Sequence, residues 1–219
     1  MKATLMSIRP QWIAKILNGE KTIEIRKLFP KDYVGWIYLY CTKEKSLIYT
    51  DGTDGKGDYV DYKYYVSYKG DKNDIGSGKV VARFWCDKVK GVWKTTTNIW
   101  TYGSDLEPNF YKESCLNDIE LNRYFKPTKA GFNKVYGYAI HITKLEIFDK
   151  PLELTYFHKR GTQKKIDELW DKYKRVDPHD DLPDSCILAE ESRILWESEI
   201  KRPPQSWYYA EIREDTLNG

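Results

Sequence analysis

GEKTIEIRK, residues 19–27, packs five charged side chains into nine positions, yet Ile23 and Ile25 stand two apart. Side chains alternate faces along a strand, so both isoleucines share one face while Thr22, Glu24 and Arg26 share the other. The stretch reads as a strand with an apolar underside and a charged top. Ahead of it, PQWIAKIL, residues 10–17, sets Trp12, Ile13, Ile16 and Leu17 at helical spacing, with Pro10 suited to a first helical turn. Asn18 and Gly19 then stop a helix of about two turns. Residues 3–8 form a short apolar strand, so the chain opens strand, helix, strand.

The same alternation recurs downstream. VGWIYLYC, residues 34–41, reads as a buried strand, and GKVVARFWCDKV, residues 78–89, as another. Between them, turn-rich segments bracket YVDYKYYVSY, which predicts a tyrosine-rich hairpin insertion over about residues 50–78. Residues 90–105 read as irregular, and residues 117–125 as a short helix. GYAIHITKLEIFDKPLEL, residues 137–154, predicts one long or bent strand. Two helices follow, within an insertion of about residues 160–200: Ile166, Leu169, Trp170 and Tyr173 mark one face of the first, and ILAEESRILWESEI the second. Between them DPHDDLPDS is an acidic loop, and SWYYAEI, residues 206–212, closes the chain as a strand. The expected class is α+β in one domain, residues 1–219, around a small, mostly antiparallel sheet or barrel.

Composition sets limits on function. Thirty-six basic and 33 acidic residues leave a net charge of +3, so any hold on nucleic acid must come from local clustering. Eighteen tyrosines and eight tryptophans supply rings for a core or for stacking. Four scattered cysteines without a CxxC pair argue against a zinc knuckle and for a reducing compartment. No apolar run approaches the roughly 20 residues of a membrane span. The start, MKATLMSIRPQW, lacks the apolar core of a signal peptide. A cytoplasmic protein with no membrane partner, no metal and no cofactor is the expectation.

Gly19, Lys21, Glu24 and Arg26 spell GxKxxExR. This resembles the signature of the ASCH domain, in the PUA-like superfamily of small β-barrels that includes the EVE and YTH modified-base readers. SIRPQWIAKIL, GYAIHI and RPPQSWYY resemble the remaining blocks of that domain in the same order. The resemblance implies a PUA-like β-barrel with flanking helices and insertions, and a motif-lined cleft between first helix and barrel. Family members are RNA-associated, and some small relatives remove the acetyl group from acetylated cytidine or cut RNA. Those amidohydrolases read KTxTxR here, with threonine where this chain has Glu24, which puts that chemistry in doubt.

On one strand face, Glu24 and Arg26 lie roughly 6.5 to 7 Å apart, within reach of a charge-assisted hydrogen bond, and the stem of Lys21 can swing toward them. Arg26 and Lys21 can clamp a phosphate while Glu24 accepts from an exocyclic amine or takes a proton. The competing reading is a solvated strand face with an incidental ion pair. Ser7 and Arg9 precede the helix and, by the resemblance, flank the cleft, where a helix start attracts anions. Trp12 is core by its stripe and a stacking ring by its place. Tyr138 is a candidate base contact, and His141 a strand residue without a nucleophile beside it. By the resemblance, Gln205 and Ser206 sit against the motif and hydrogen-bond a ligand, or else only close the barrel. Tyr59, Tyr62, Tyr64, Tyr65 and Tyr68 with Lys63 and Lys69 offer a stacking surface or a half-buried strand face.

The leading functional expectation is therefore binding of RNA, another nucleic acid, or a single base, modified or not. Its rival is an enzyme, an amidohydrolase on acylated cytidine or a ribonuclease, with Lys21 and Glu24 as the catalytic proton-transfer pair. A protein-interaction module built on the hairpin and the acidic 177–199 region is the third.

Overall fold

The computed structural model describes residues 2–44, 47–53, 59–67, 76–95, 97, 99–103, 109–127, 134–174 and 184–212. The opening is β1 (Lys2–Ile8), α1 (Pro10–Leu17) and β2 (Ile23–Arg26). Then come β3 (Gly35–Cys41), the pair β4 (Leu47–Thr53) and β5 (Tyr59–Ser67), β6 (Val80–Cys86), β7 (Val89–Lys94) and β8 (Trp100–Tyr102). Two short helices follow, α2 (Phe110–Ser114) and α3 (Asp118–Phe125). The rest is β9 (Gly137–His141), β10 (Thr143–Leu152), a 3₁₀ turn at Leu154–Tyr156, β11 (Phe157–Lys159), α4 (Thr162–Lys174), α5 (Asp184–Ser198) and β12 (Trp207–Ile212).

These strands make a six-stranded sheet ordered β10-β6-β3-β1-β12-β11, a four-stranded sheet ordered β2-β9-β7-β8, and the β4-β5 hairpin. Only β1 and β3 run parallel among the described ladders. The class is mixed α and β with mostly antiparallel sheets, but no closed barrel forms among those ladders. The sequence expectation of a barrel is corrected by two corners at which the chain leaves one sheet for the other. At Asp87–Lys88, β6 gives way to β7, and at Ile142, β9 gives way to β10.

The corners are tied together. His141 Nδ1 lies 2.6 Å from Asp87 Oδ1, the His141 N–H donates to the Lys88 carbonyl, and Thr143 Oγ1 donates to the Trp85 carbonyl at 2.7 Å. Burial works against the Asp87 carboxylate, yet the hydrogen bond and charge of His141 hold its pKa below the usual value. Residues 137–154, read as one strand, are thus two strands in two sheets. Residues 90–105, read as irregular, include β7 and β8. In β7, VKGVWK, Val92 stands directly beside Trp93 and blurs the period of two, and β8 has only three residues, too few for a period to show.

β1 is buried on both faces. Met6 and Ile8 join Ile13, Ile16 and Leu17 of α1, while Ala3 and Leu5 join Tyr38, Phe157 and Ile212. Ile23 and Ile25 enter a separate core with Val92, Trp100, Phe110 and Phe125 under the four-stranded sheet. The hairpin lies along α1. Asn18 Nδ2 donates to the Tyr64 carbonyl at 2.9 Å, and the Tyr64 N–H donates to Asn18 Oδ1 at 2.8 Å. A residue read only as a helix stop therefore imitates a neighbouring strand. Asn18→Ala should cost about 1 to 2 kcal/mol and speed exchange of the Tyr64 amide proton, as seen by hydrogen exchange. Unchanged protection of that amide would refute the docking role. For the proposed tyrosine stacking surface, Tyr68 and Lys69 lie outside the described residues, as do the side chains of Tyr59, Tyr62, Lys63 and Tyr65.

Tyr33 gives the fold a pH dependence. Its hydroxyl donates to the Trp36 carbonyl at 2.7 Å, and burial pushes its pKa up to about 12. The unfolded phenol ionises near pH 10, so this contribution is fully present below about pH 10 and is lost as pH rises toward about 12. Urea unfolding of Tyr33→Phe should show a shallower alkaline loss of stability than the parent chain. Parallel curves would contradict that assignment.

Candidate functional site

The route from α1 to β2 builds the site. Gly19 takes φ 70°, the left-handed region that favours glycine, and this reverses the chain beneath the helix it has just left. The Glu20 and Lys21 N–H groups both donate to the Lys15 carbonyl, and the Thr22 N–H donates to the Glu113 carbonyl. Lys21 is thereby folded back under α1 and over the end of α2. Its Nζ donates to the Ser114 carbonyl at 2.6 Å, at a helix end where a cation is favoured, and lies 5.4 Å from the centroid of the Trp12 ring.

β2 carries the other two charges. Lys21 Nζ lies 3.5 Å from Glu24 Oε2, and Arg26 Nη2 lies 3.3 Å from Glu24 Oε1. Arg26 Nη2 also donates to the Ser7 carbonyl at 2.8 Å, lacing the four-stranded sheet to the six-stranded one. Lys21 is 2% exposed and Glu24 6%, so the solvated-face reading fails for both. Burial lowers the Lys21 pKa from its ordinary value, and the Glu24 carboxylate pulls the other way. Arg26 Nε is buried and has no hydrogen-bond partner among the described residues, although buried donors are nearly always paired.

This trio lies in a cleft of about 1210 Å³. Of the residues expected at the site, Ser7, Arg9, Lys21, Glu24, Arg26 and Gln205 line it together. Tyr138 and Ser206 are not among the lining residues. Tyr138 faces Arg26 in the β2–β9 register and packs against the core beneath α1. Ser206 accepts the Ser7 N–H through its carbonyl at 2.9 Å, while Ser7 Oγ donates to the Pro204 carbonyl at 2.7 Å, so these residues close β12 onto β1. Trp12 is half-buried and serves twice, packing on the core and lining the cleft. His141 is held at the sheet corner by Asp87, outside the cleft.

Sequence reasoning missed Arg123, Tyr124 and Lys126, which bring the end of α3 to the cleft, and Lys27, Lys43 and Lys201. The capping box of Asn117 and Glu120 starts α3, and Leu121 with Phe125 anchors its buried side. Periodicity marks that side but not what the opposite one faces. Tyr124 is 37% exposed, with Lys27 Nζ 5.1 Å from its ring centroid. Burial raises its phenol pKa above the usual value, against the opposing charge of Arg26. No described helix is long and apolar enough to cross a membrane. Among the described residues no cluster of three or more His, Cys, Asp or Glu could hold a metal ion.

No family model and no curated protein matches the sequence. Among solved structures the chain is similar to the ASCH protein of Zymomonas mobilis. One mutant of that protein aligns with TM-score 0.47 and 14% identity over 100% of this chain and 95% of that one. A second mutant gives 0.47 and 13% over 99% and 92%, and a third structure of that protein gives 0.43 and 13% over 99% and 91%.

Proposed function

We propose that this chain binds nucleic acid, holding an RNA segment or a single base, modified or not, in the cleft floored by Lys21, Glu24 and Arg26. One observation carries the reading. Lys21 and Glu24 are kept out of water at considerable cost, and the largely buried guanidinium beside them has a donor, Arg26 Nε, without a hydrogen-bond partner among the described residues. A phosphate or a base carbonyl supplies the missing acceptor, and Glu24 accepts from an exocyclic amine. Trp12 and Tyr124 give the cleft aromatic walls, as a base held out of a stack needs. The GxKxxExR resemblance points the same way.

Labelled mixed-sequence RNA and DNA pools test it. Binding should weaken as salt rises, because phosphates release counterions. Reversing the exposed charges in Arg123→Glu/Lys126→Glu should weaken it at least tenfold while lowering the thermal midpoint by only a few degrees, the cost of losing two cations at the end of α3. Absent or salt-insensitive binding would sink the proposal.

A second reading rests on the lowered Lys21 pKa. An amine held below its ordinary value 3.5 Å from a carboxylate is equipped to take and return a proton, as hydrolysis of an acylated cytidine or of RNA requires. Acetylated cytidine and labelled RNA left intact after long incubation at high protein concentration would exclude it.

A further inference from the structure

We infer that a second surface, outside the cleft, docks an acidic segment of a partner protein that carries apolar anchors. It lies where the loop between β2 and β3 folds over β12. Phe29 and Tyr33 of that loop and Trp207 and Tyr209 of β12 form a closed circuit of rings. Centroids are 5.3 Å apart for Phe29–Tyr33, 5.0 Å for Phe29–Trp207, 5.5 Å for Trp207–Tyr209 and 6.3 Å for Tyr33–Tyr209. Phe29 is buried beneath, but Tyr209 is 40% exposed, and the aliphatic neighbours Leu28 and Val34 are 77% and 58% exposed. Single exposed apolar side chains are ordinary, whereas a contiguous group on one face marks a contact site. None of these six residues lines the cleft.

The group is held in place before any partner arrives. Trp207 Nε1 donates to the Leu28 carbonyl at 2.6 Å, and the Tyr33 hydroxyl donates to the Trp36 carbonyl at 2.7 Å. Rings pinned in this way lose little freedom on binding, which is why Trp and Tyr serve so often as anchors at protein interfaces.

Ring geometry and charge choose between the occupants. A stacked base needs an open flat face. Here Phe29 meets Tyr33 at 72° and Trp207 at 64°, Trp207 meets Tyr209 at 80°, and Arg160 already stands 5.6 Å from the Tyr209 centroid. The most exposed tips, Leu28 and Val34, are aliphatic. A second copy of this chain would have to match itself across a two-fold axis. Lys2 shares the face of Trp207 and Tyr209 through its register opposite Glu211, and with Lys31 and Arg160 it outnumbers Asp32 around the rings. Glu211, on the same face, spends its carboxylate on the Gly161 and Gln163 N–H groups. Two such cationic rims repel each other. An acidic segment meets the rim, while its apolar side chains enter the spaces between the tilted rings.

Fluorescence anisotropy on the whole protein compares three labelled dodecapeptide pools: Asp or Glu alternating with Leu, Phe or Trp; Lys or Arg alternating with the same apolar residues; and Asp or Glu alternating with Ser or Gln. The first should bind at least tenfold more tightly than either of the others, and less tightly as salt rises. Leu28→Ser/Val34→Ser alters only exposed side chains, so the thermal midpoint should hold while affinity for the first pool falls at least tenfold. Lys31→Glu/Arg160→Glu should turn the preference toward the basic pool. Equal binding of the pools, binding of none, or affinity untouched by Leu28→Ser/Val34→Ser would overturn the inference. Loss of RNA-pool binding in that variant would overturn it by giving the face to nucleic acid. Self-association in sedimentation velocity that the same variant abolishes would overturn it by giving the face to a second copy.

Discussion

Glu24→Ala is expected to lower folding stability by about 3 to 5 kcal/mol, because it leaves two buried cations facing each other without their shared counter-charge. Lys21 and Arg26 reach Glu24 at 3.5 and 3.3 Å, and all three side chains are at most 13% exposed, so water cannot stand in for the carboxylate. The complementary variant is more informative. Lys21→Met/Glu24→Leu/Arg26→Met removes the charges together and fills similar volume, and such replacements of buried ionic groups are neutral or stabilising. This triple variant should keep or raise the thermal midpoint while losing nucleic-acid binding, which would show that the charges are retained for the ligand. Binding retained by a folded triple variant would remove the trio from the function. A midpoint as low as that of Glu24→Ala would mean that the lacing of Arg26 to the Ser7 carbonyl, at 2.8 Å, carries the stability instead.

Gly137→Ala is the second large effect. A Cβ built at this position would lie 2.5 Å from the Arg26 carbonyl oxygen and 2.5 Å from the Phe125 ring. The ring can shift within its core, but a backbone oxygen in the β2–β9 ladder cannot move without parting the strands. Overpacking of this kind typically costs about 1 to 3 kcal/mol. Because the obstructed backbone is that of Arg26, binding should fall along with the denaturation midpoint. Gly137→Ala/Phe125→Leu should recover only part of the loss, since it relieves the ring but not the carbonyl. An unshifted midpoint in the single variant, or full recovery in the double one, would refute the close approach.

Local periodicity was a good guide wherever a single element decided the outcome. The stop at Asn18 and Gly19, the α3 start at Asn117 and the opposed faces of Ile23/Ile25 and Glu24/Arg26 all follow from neighbours within a few residues. The motif residues Lys21, Glu24 and Arg26 stood out by spacing, and the cleft gathers them with Ser7, Arg9 and Gln205. Less was legible where strands change sheets. Apolar residues fall at 138, 140 and 142 and then at 145 and 147, so the alternation slips phase just after Ile142, and a reading of 137–154 as one strand passes over the point where β9 and β10 take different partners. Tyr138 and Ser206, expected beside the motif, do not line the cleft, for a related reason. Placement beside the motif along a ladder says that backbones are adjacent, not that side chains share a cavity.

The sequence by itself determined the strand-helix-strand opening, the mixed class and the identity of the three motif charges, because alternation, helical spacing and caps act over a few residues. Only the tertiary structure decided that two of those charges lie out of water, that Arg26 joins two sheets, and that cations from β2, α3 and the segments beside β1 meet across one cleft. Burial and opposing walls depend on contacts between residues far apart in the chain, such as Arg26 with Ser7 and Lys21 with Ser114, and a local pattern does not encode such distances.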